Sequence, residues 1–252
     1  MNTKIGSILL LLMLLLSSCN GDNVPDCFQN AGDTIREEIV LPEFTRITVF
    51  ENVRLVLRDG PVQQVEIETG EFLRNEVSAL VEGDRLVLRN ENDCNFTRDF
   101  GLTTIFVTAP NIEEIRSSTG MEIRSDGVLS YPDLLLLSES FLDPEAQTTD
   151  GSFHLELATE NLALTSNGIA FFDLRGTTTN FSVTISAGDA RVEARALAAE
   201  NVLLNHRGTN TILVNPQQSI SGVIRGLGNV EAFNRPMDVN VEELFRGRLI
   251  FR

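Results

Sequence analysis

The sequence predicts an all-β chain wound as a right-handed parallel β-helix, with coils of about 20 residues. Three observations carry this prediction. Apolar and polar residues alternate with period two in short runs, helical periodicity is weak throughout, and glycines recur at a fixed interval of 20 residues. The same short strands also suit an antiparallel β-sandwich, which stands as the alternative.

In the first half, Ile47-Thr-Val49 and Val53-Arg-Leu55-Val-Leu57 read as strands, and Arg58-Asp59-Gly60-Pro61 reads as a turn. Val65-Glu-Ile67-Glu and Leu86-Val-Leu88 continue the series, the latter entered through Val81-Glu-Gly83-Asp84. Only Glu71 to Leu80 carries a weak helical pattern. In the second half, Gly168, Gly188, Gly208 and Gly228 stand 20 residues apart. Gly120 lies 20 residues before Ser140, and Ser140 to Gly168 is 28, as if eight residues had been inserted near Asp143 to Asp150. These five glycines are the expected corners, where positive φ or close backbone approach excludes a side chain.

Stacked coils place equivalent side chains above one another at about 4.8 Å. Two such columns are Phe172, Val192, Ile212, Ala232 and Leu174, Ala194, Val214, Asn234. A single coil cannot bury its own inner face, so stability comes from neighbours. Asn161, Asn180 and Asn201 open three strands at steps of 19 and 21, which predicts a bulge or register shift.

The N-terminus gives an address. Lys4 precedes the nine-residue apolar run Ile8 to Leu16, followed by Ser17-Ser18-Cys19. This is a secretory signal over residues 1–18, too short to span a bilayer as a helix. A cysteine after small residues resembles a bacterial lipobox, so Cys19 is the expected lipidation site, with several acyl chains as a stable anchor. Residues 19–38 read as a polar tether, and 39–252 as one domain. The expected location is the outer membrane, facing the periplasm or the cell surface. Cys27 and Cys94 remain as a pair in an oxidising compartment, and their bridge would close 67 residues.

Charge and chemistry exclude much. The chain has 20 basic and 36 acidic residues, a net charge of −16. Phosphates would be repelled, so nucleic acid is not an expected partner. Lys4 is the sole lysine and tryptophan is absent, which removes lysine-based catalysis and tryptophan sugar platforms. No nucleophile-elbow or zinc motif occurs. His154, between Phe153 and Leu155, and His206, before Arg207-Gly208, both read as surface residues. Asp143, Glu145 and Asp150 are the one weak candidate for a metal, as a Ca²⁺ loop, but they lack the alternating spacing such a loop uses. No cofactor is expected.

The Phe44-Thr-Arg-Ile-Thr-Val-Phe50 and Val53-Arg-Leu-Val-Leu57 strands, the Gly83-Asp-Arg-Leu-Val-Leu88 turn-strand, and Ile224-Arg-Gly226-Leu-Gly228-Asn-Val230 before Arg235-Pro236 carry a resemblance. Over residues 39–236 the chain resembles the auto-transporter adhesin, head GIN domain family of bacterial lipoproteins. That resemblance implies a parallel β-helix in the cell envelope and supplies no catalytic residues. The ending Glu242-Glu-Leu-Phe-Arg-Gly247 departs from the family's small-residue turns and reads as a cap. The expected function is therefore a non-enzymatic adhesion, binding or structural module, meeting an envelope glycan or protein. The alternative is a polysaccharide lyase or hydrolase working through the acidic residues of the 143–150 insertion.

Overall fold

A computed structural model describes residues 26–92, 94–96 and 98–252. The expected signal peptide and lipidation site, residues 1–18 and Cys19, lie outside them. Among the described residues the chain is all-β, with seventeen strands in one curled sheet of mixed direction. They are β1 (Thr34–Ile39), β2 (Arg46–Val49), β3 (Arg54–Asp59), β4 (Gln64–Gly70), β5 (Val77–Glu82), β6 (Arg85–Asn90), β7 (Thr104–Ala109), β8 (Glu114–Ser117) and β9 (Glu122–Leu129). They continue with β10 (Asp133–Ser138), β11 (Ser152–Ser166), β12 (Phe171–Ile185), β13 (Arg191–His206), β14 (Ile212–Ile224), β15 (Val230–Ala232), β16 (Asp238–Glu243) and β17 (Leu249–Phe251).

The sheet forms two walls around one core. The first runs β5–β6–β2–β8–β10, then through the second halves of β11 to β14, to β16. The second runs β1–β4–β7–β3–β9, then through the first halves of β11 to β14, to β15 and β17. Each long strand crosses from one wall to the other. In β11 the buried positions are Phe153, Leu155, Leu157 and Thr159, then Leu162, Leu164 and Ser166. The skip of three at residues 160–161 turns the chain while both halves keep apolar side chains inward.

One interior column shows what holds the walls together. Ile67, Ile105, Leu55, Ile123, Phe153, Phe172, Val192, Ile212, Val230 and Leu249 follow one another in register. All but Leu249 are essentially inaccessible. The rings of Phe153 and Phe172 stack with centroids 4.9 Å apart and planes 7° from parallel. Each fully buried side chain of this size contributes roughly 1.5–3 kcal/mol through removal from water.

Four expectations are corrected. Pairing is not parallel throughout 39–252: β4 runs antiparallel to β1 and β7, and β5 to β6. A two-residue loop, with Gly83 at φ 67°, is too short for anything but a hairpin between β5 and β6. Residues 34–38, read as tether, belong to β1, because Ile35 to Ile39 pair with β4. The fourth member of the Phe172 column is Val230 rather than Ala232, and Ala232 pairs instead with Val214. The last corner is two residues shorter, so a Cβ at Gly226 would crowd Gly208 O, while Gly228 N donates to that same carbonyl at 3.1 Å. Finally, His206 is fully buried, because its strand position points inward.

At the corners, amide groups bridge from rung to rung. Asp189 N donates to Gly168 O at 2.8 Å, Thr209 N to Gly188 O at 3.0 Å, and Leu227 N to Gly208 O at 3.1 Å. Gly188 has φ 81°, and a Cβ there would lie 2.3 Å from Gly168 O. Both sterics and backbone conformation therefore demand glycine at this corner.

Candidate functional site

The sequence-derived sites disperse over the fold. Cys27 and Cys94 form a disulfide, their Cα atoms 4.4 Å apart. It ties the entry of the chain to the loop that follows β6. The insertion folds back over the outside of the first wall, where Ala146 is buried against Phe50 and Val87. Its acidic residues do not converge. Asp143 Oδ1 accepts the Glu145 amide at 3.0 Å, Glu145 pairs with Arg89, and the Asp150 carboxylate lies over Gly120. No group of three or more His, Cys, Asp or Glu residues that could hold a metal occurs among the described residues. His154 is half-exposed, with Nε2 3.0 Å from Ser152 Oγ and Nδ1 3.7 Å from Asp173.

Two outer surfaces lie side by side on β11 to β14. On the first wall, side chains facing away from the core form three columns. Asn161, Asn180, Asn201 and Ser219 occupy the first, Ala163, Ser182, Leu203 and Ser221 the second, and Thr165, Thr184, Asn205 and Val223 the third. None carries charge. In a chain of net charge −16 this is an unusual patch. A groove of about 280 Å³ runs along its first two columns.

The first column is a hydrogen-bonded ladder with one direction. Ser219 Oγ donates to Asn201 Oδ1 at 2.8 Å, and Asn201 Nδ2 donates to Asn180 Oδ1 at 3.2 Å. Asn180 Nδ2 donates to Asn161 Oδ1 at 2.8 Å, and Asn161 Nδ2 to Asp133 Oδ1 at 2.7 Å. The chain of dipoles thus ends on a carboxylate, which strengthens the bonds behind it by polarisation. The 19- and 21-residue steps were visible in the sequence. The 21-residue step contains one register shift between β12 and β13, after Asp173, whereas β11 and β12 pair at a uniform offset of 19.

On the second wall that irregularity opens a groove of about 460 Å³, lined by Phe171, Asp173, Arg175, Glu193, Arg195 and Ala196. Here charges alternate. Arg175 donates to Asp173 at 2.9 Å, Arg191 pairs with Glu193, and Arg195 lies 3.3 Å from Glu193. The hydrogen bond to Asp173 raises the Arg175 pKa further, so the guanidinium stays charged. The Arg175–Asp173 pair is exposed and adds little stability, whereas the Glu193 carboxylate, bracketed by Arg191 and Arg195, is largely buried. The two surfaces differ in kind: one neutral and hydroxyl-rich, the other a lattice of paired ions.

Two buried groups were not anticipated. Arg116 and Glu139 form an ion pair sealed under the insertion, with 4% and 1% exposure. Glu139 also accepts the amides of Phe141 at 2.7 Å and Leu142 at 3.2 Å. Burial alone would raise the Glu139 pKa. The hydrogen bonds from Arg116 and the two amides outweigh it and hold the carboxyl below its ordinary value. Neither ring nitrogen of His206 has a hydrogen bond of good geometry. Desolvation lowers its pKa despite the nearby backbone of Asn210 and Gly228, so the ring is held neutral.

The crystal structure of a "putative adhesin" from Bacteroides fragilis NCTC 9343 superposes with a TM-score of 0.75 at 17% identity, over 88% of this chain and 99% of that one. A "putative lipid binding protein" from Parabacteroides distasonis ATCC 8503 superposes at 0.58, with 14% identity, over 87% and 97%. Another "putative adhesin" from the latter organism reaches 0.60 at 11% identity, over 88% and 99%. These likenesses show a shared fold. Among curated proteins no sequence matches this chain. The family model described as "Putative auto-transporter adhesin, head GIN domain" matches residues 43–236, from just before β2 to the residue before Met237. The chain belongs to that head GIN domain family.

Proposed function

We propose that the chain is a non-enzymatic binding module of the cell envelope, held in the outer membrane by an acylated Cys19. In this reading the curled sheet is a right-handed parallel β-helix, and its neutral wall meets an uncharged envelope glycan or protein. The observation that carries the proposal is the four-rung patch without charge on so acidic a chain. A flat array of amides and hydroxyls can exchange hydrogen bonds with an uncharged polar partner without desolvating an ion, which is the costly event at an interface. The family, and the adhesin names of structures sharing the fold, support an adhesion-like role. The lyase or hydrolase reading gains no support, because Asp143, Glu145 and Asp150 are each engaged separately.

The test compares purified wild type with Ser182→Arg and Leu203→Glu on a neutral-glycan array and on isolated envelope fractions. Arg195→Ala, on the other wall, serves as the control. Binding lost in the first two variants and kept in the third supports the proposal. Equal binding by all, or none by wild type, overturns it.

A further inference from the structure

The end of the fold nearest the tether carries an exposed aromatic cluster that the adhesion reading does not use. Phe28 is 58% exposed, Phe96 76% and Phe100 74%. The rings of Phe28 and Phe96 lie 5.9 Å apart. They are not loose. Phe96 N donates to Cys27 O at 3.0 Å, the Cys27–Cys94 disulfide joins their two segments, and Arg98 donates to Gln29 O at 3.1 Å and to Cys94 O at 3.0 Å. A crosslink, one backbone hydrogen bond and two from the Arg98 side chain thus hold the Phe28 and Phe96 rings out in solvent. Water gives no reason for that arrangement.

We infer that this cluster seats the module on the lipid surface to which it is tethered. The inference rests on the acylated Cys19 of the proposal above. Phe28 is only the ninth residue after Cys19. Fully extended, that stretch reaches about 30 Å, so an anchor at Cys19 confines these rings to the membrane-proximal side. Aromatic side chains favour the headgroup boundary, where an apolar body and a wet edge are both accommodated. The neighbouring charges set the lipid class. Asp99 is exposed, the Arg98 guanidinium is already engaged by carbonyls, and the chain carries −16 overall. An anionic surface would repel such a chain, so the partner is a bilayer with a zwitterionic face. Seated this way, the long rungs of β11 to β14 are presented by an oriented domain rather than one swinging on a leash.

The absence of tryptophan makes the test direct. Full-length acylated chains carrying Phe96→Trp or Phe141→Trp are reconstituted into phosphatidylcholine vesicles containing spin-labelled lipid. Phe141 is 71% exposed in the insertion and provides the reference. The expected result is a blue-shifted and strongly quenched emission for Phe96→Trp, with neither effect for Phe141→Trp. Equal quenching of the two, or none, overturns the inference. Flotation of the same samples reads the anchor separately: chains that do not float overturn the acylation of Cys19. In that event the same quenching comparison, made with residues 20–252 at high lipid concentration, decides the aromatic cluster by itself.

Discussion

Arg116 on β8 reaches Glu139, 23 residues further on, and the pair is closed off from water. Removing one partner of a buried pair leaves the other charge uncompensated, which costs about 3–5 kcal/mol. Glu139→Ala is expected to lower stability by that order and to free the amides of Phe141 and Leu142. Denaturant titration measures the first effect and hydrogen exchange at those two amides the second. The folded-state pKa of Glu139 is below its ordinary value of 4.5, so its contribution is complete above that pH and is lost as pH falls through the folded value.

His206 adds a second pH window. Its folded-state pKa is lowered from 6.5, so the unfolded chain takes up the proton more readily. Stability is expected to be full above about pH 6.5 and to fall as pH drops below it, toward the folded value. The His206→Leu variant removes this slope. Denaturation midpoints at pH 7.5 and 5.5 should differ for wild type and coincide more closely for the variant.

Gly188 and Gly83 both have positive φ, at 81° and 67°, but only Gly188 is crowded. Nothing lies within 4 Å of a Cβ built at Gly83, whereas one at Gly188 would meet Gly168 O at 2.3 Å. Gly83→Ala is expected to cost about 1–2 kcal/mol, the strain of the left-handed conformation alone. Gly188→Ala must in addition push apart two rungs, and its loss should be clearly larger. Thermal melts of the two variants side by side check the order.

Reduction of the Cys27–Cys94 bridge releases a 67-residue loop, worth roughly 4 kcal/mol in the chain-entropy picture. The melting temperature is expected to fall in reductant. Exchange should rise first at Phe96 N, which donates to Cys27 O, while the β12–β13 rungs stay protected. Mass-resolved exchange distinguishes the two regions.

Much of the architecture was legible because repetition is a local property. The glycine spacing located Gly168, Gly188 and Gly208, and the alternation put Phe172, Val192 and Ile212 in one file, as their pairing shows. The shortened last corner broke that counting at Ala232, since a fixed period cannot reveal a two-residue deletion. His206 was misplaced because a polar residue beside a glycine corner is usually outside, and only the strand phase of β13 turns it inward. The antiparallel β4 and the insertion lying on Phe50 and Val87 depend on long-range contacts, which no periodicity encodes. The neutral patch was spread over four strands, invisible until those strands were laid side by side.

The final rung is where a stacked sheet runs out of neighbours. Among the described residues β16 pairs with β14 alone and β17 with β15 alone, so their outer edges offer a template for another chain. β16, which closes the first wall, reads Asp-Val-Asn-Val-Glu-Glu, and β5 at the other end of that wall reads Val-Ser-Ala-Leu-Val-Glu. Two copies meeting head to tail would lay the three carboxylates of β16 beside Glu82 of β5. Like charge at that joint opposes growth of the staircase into a filament.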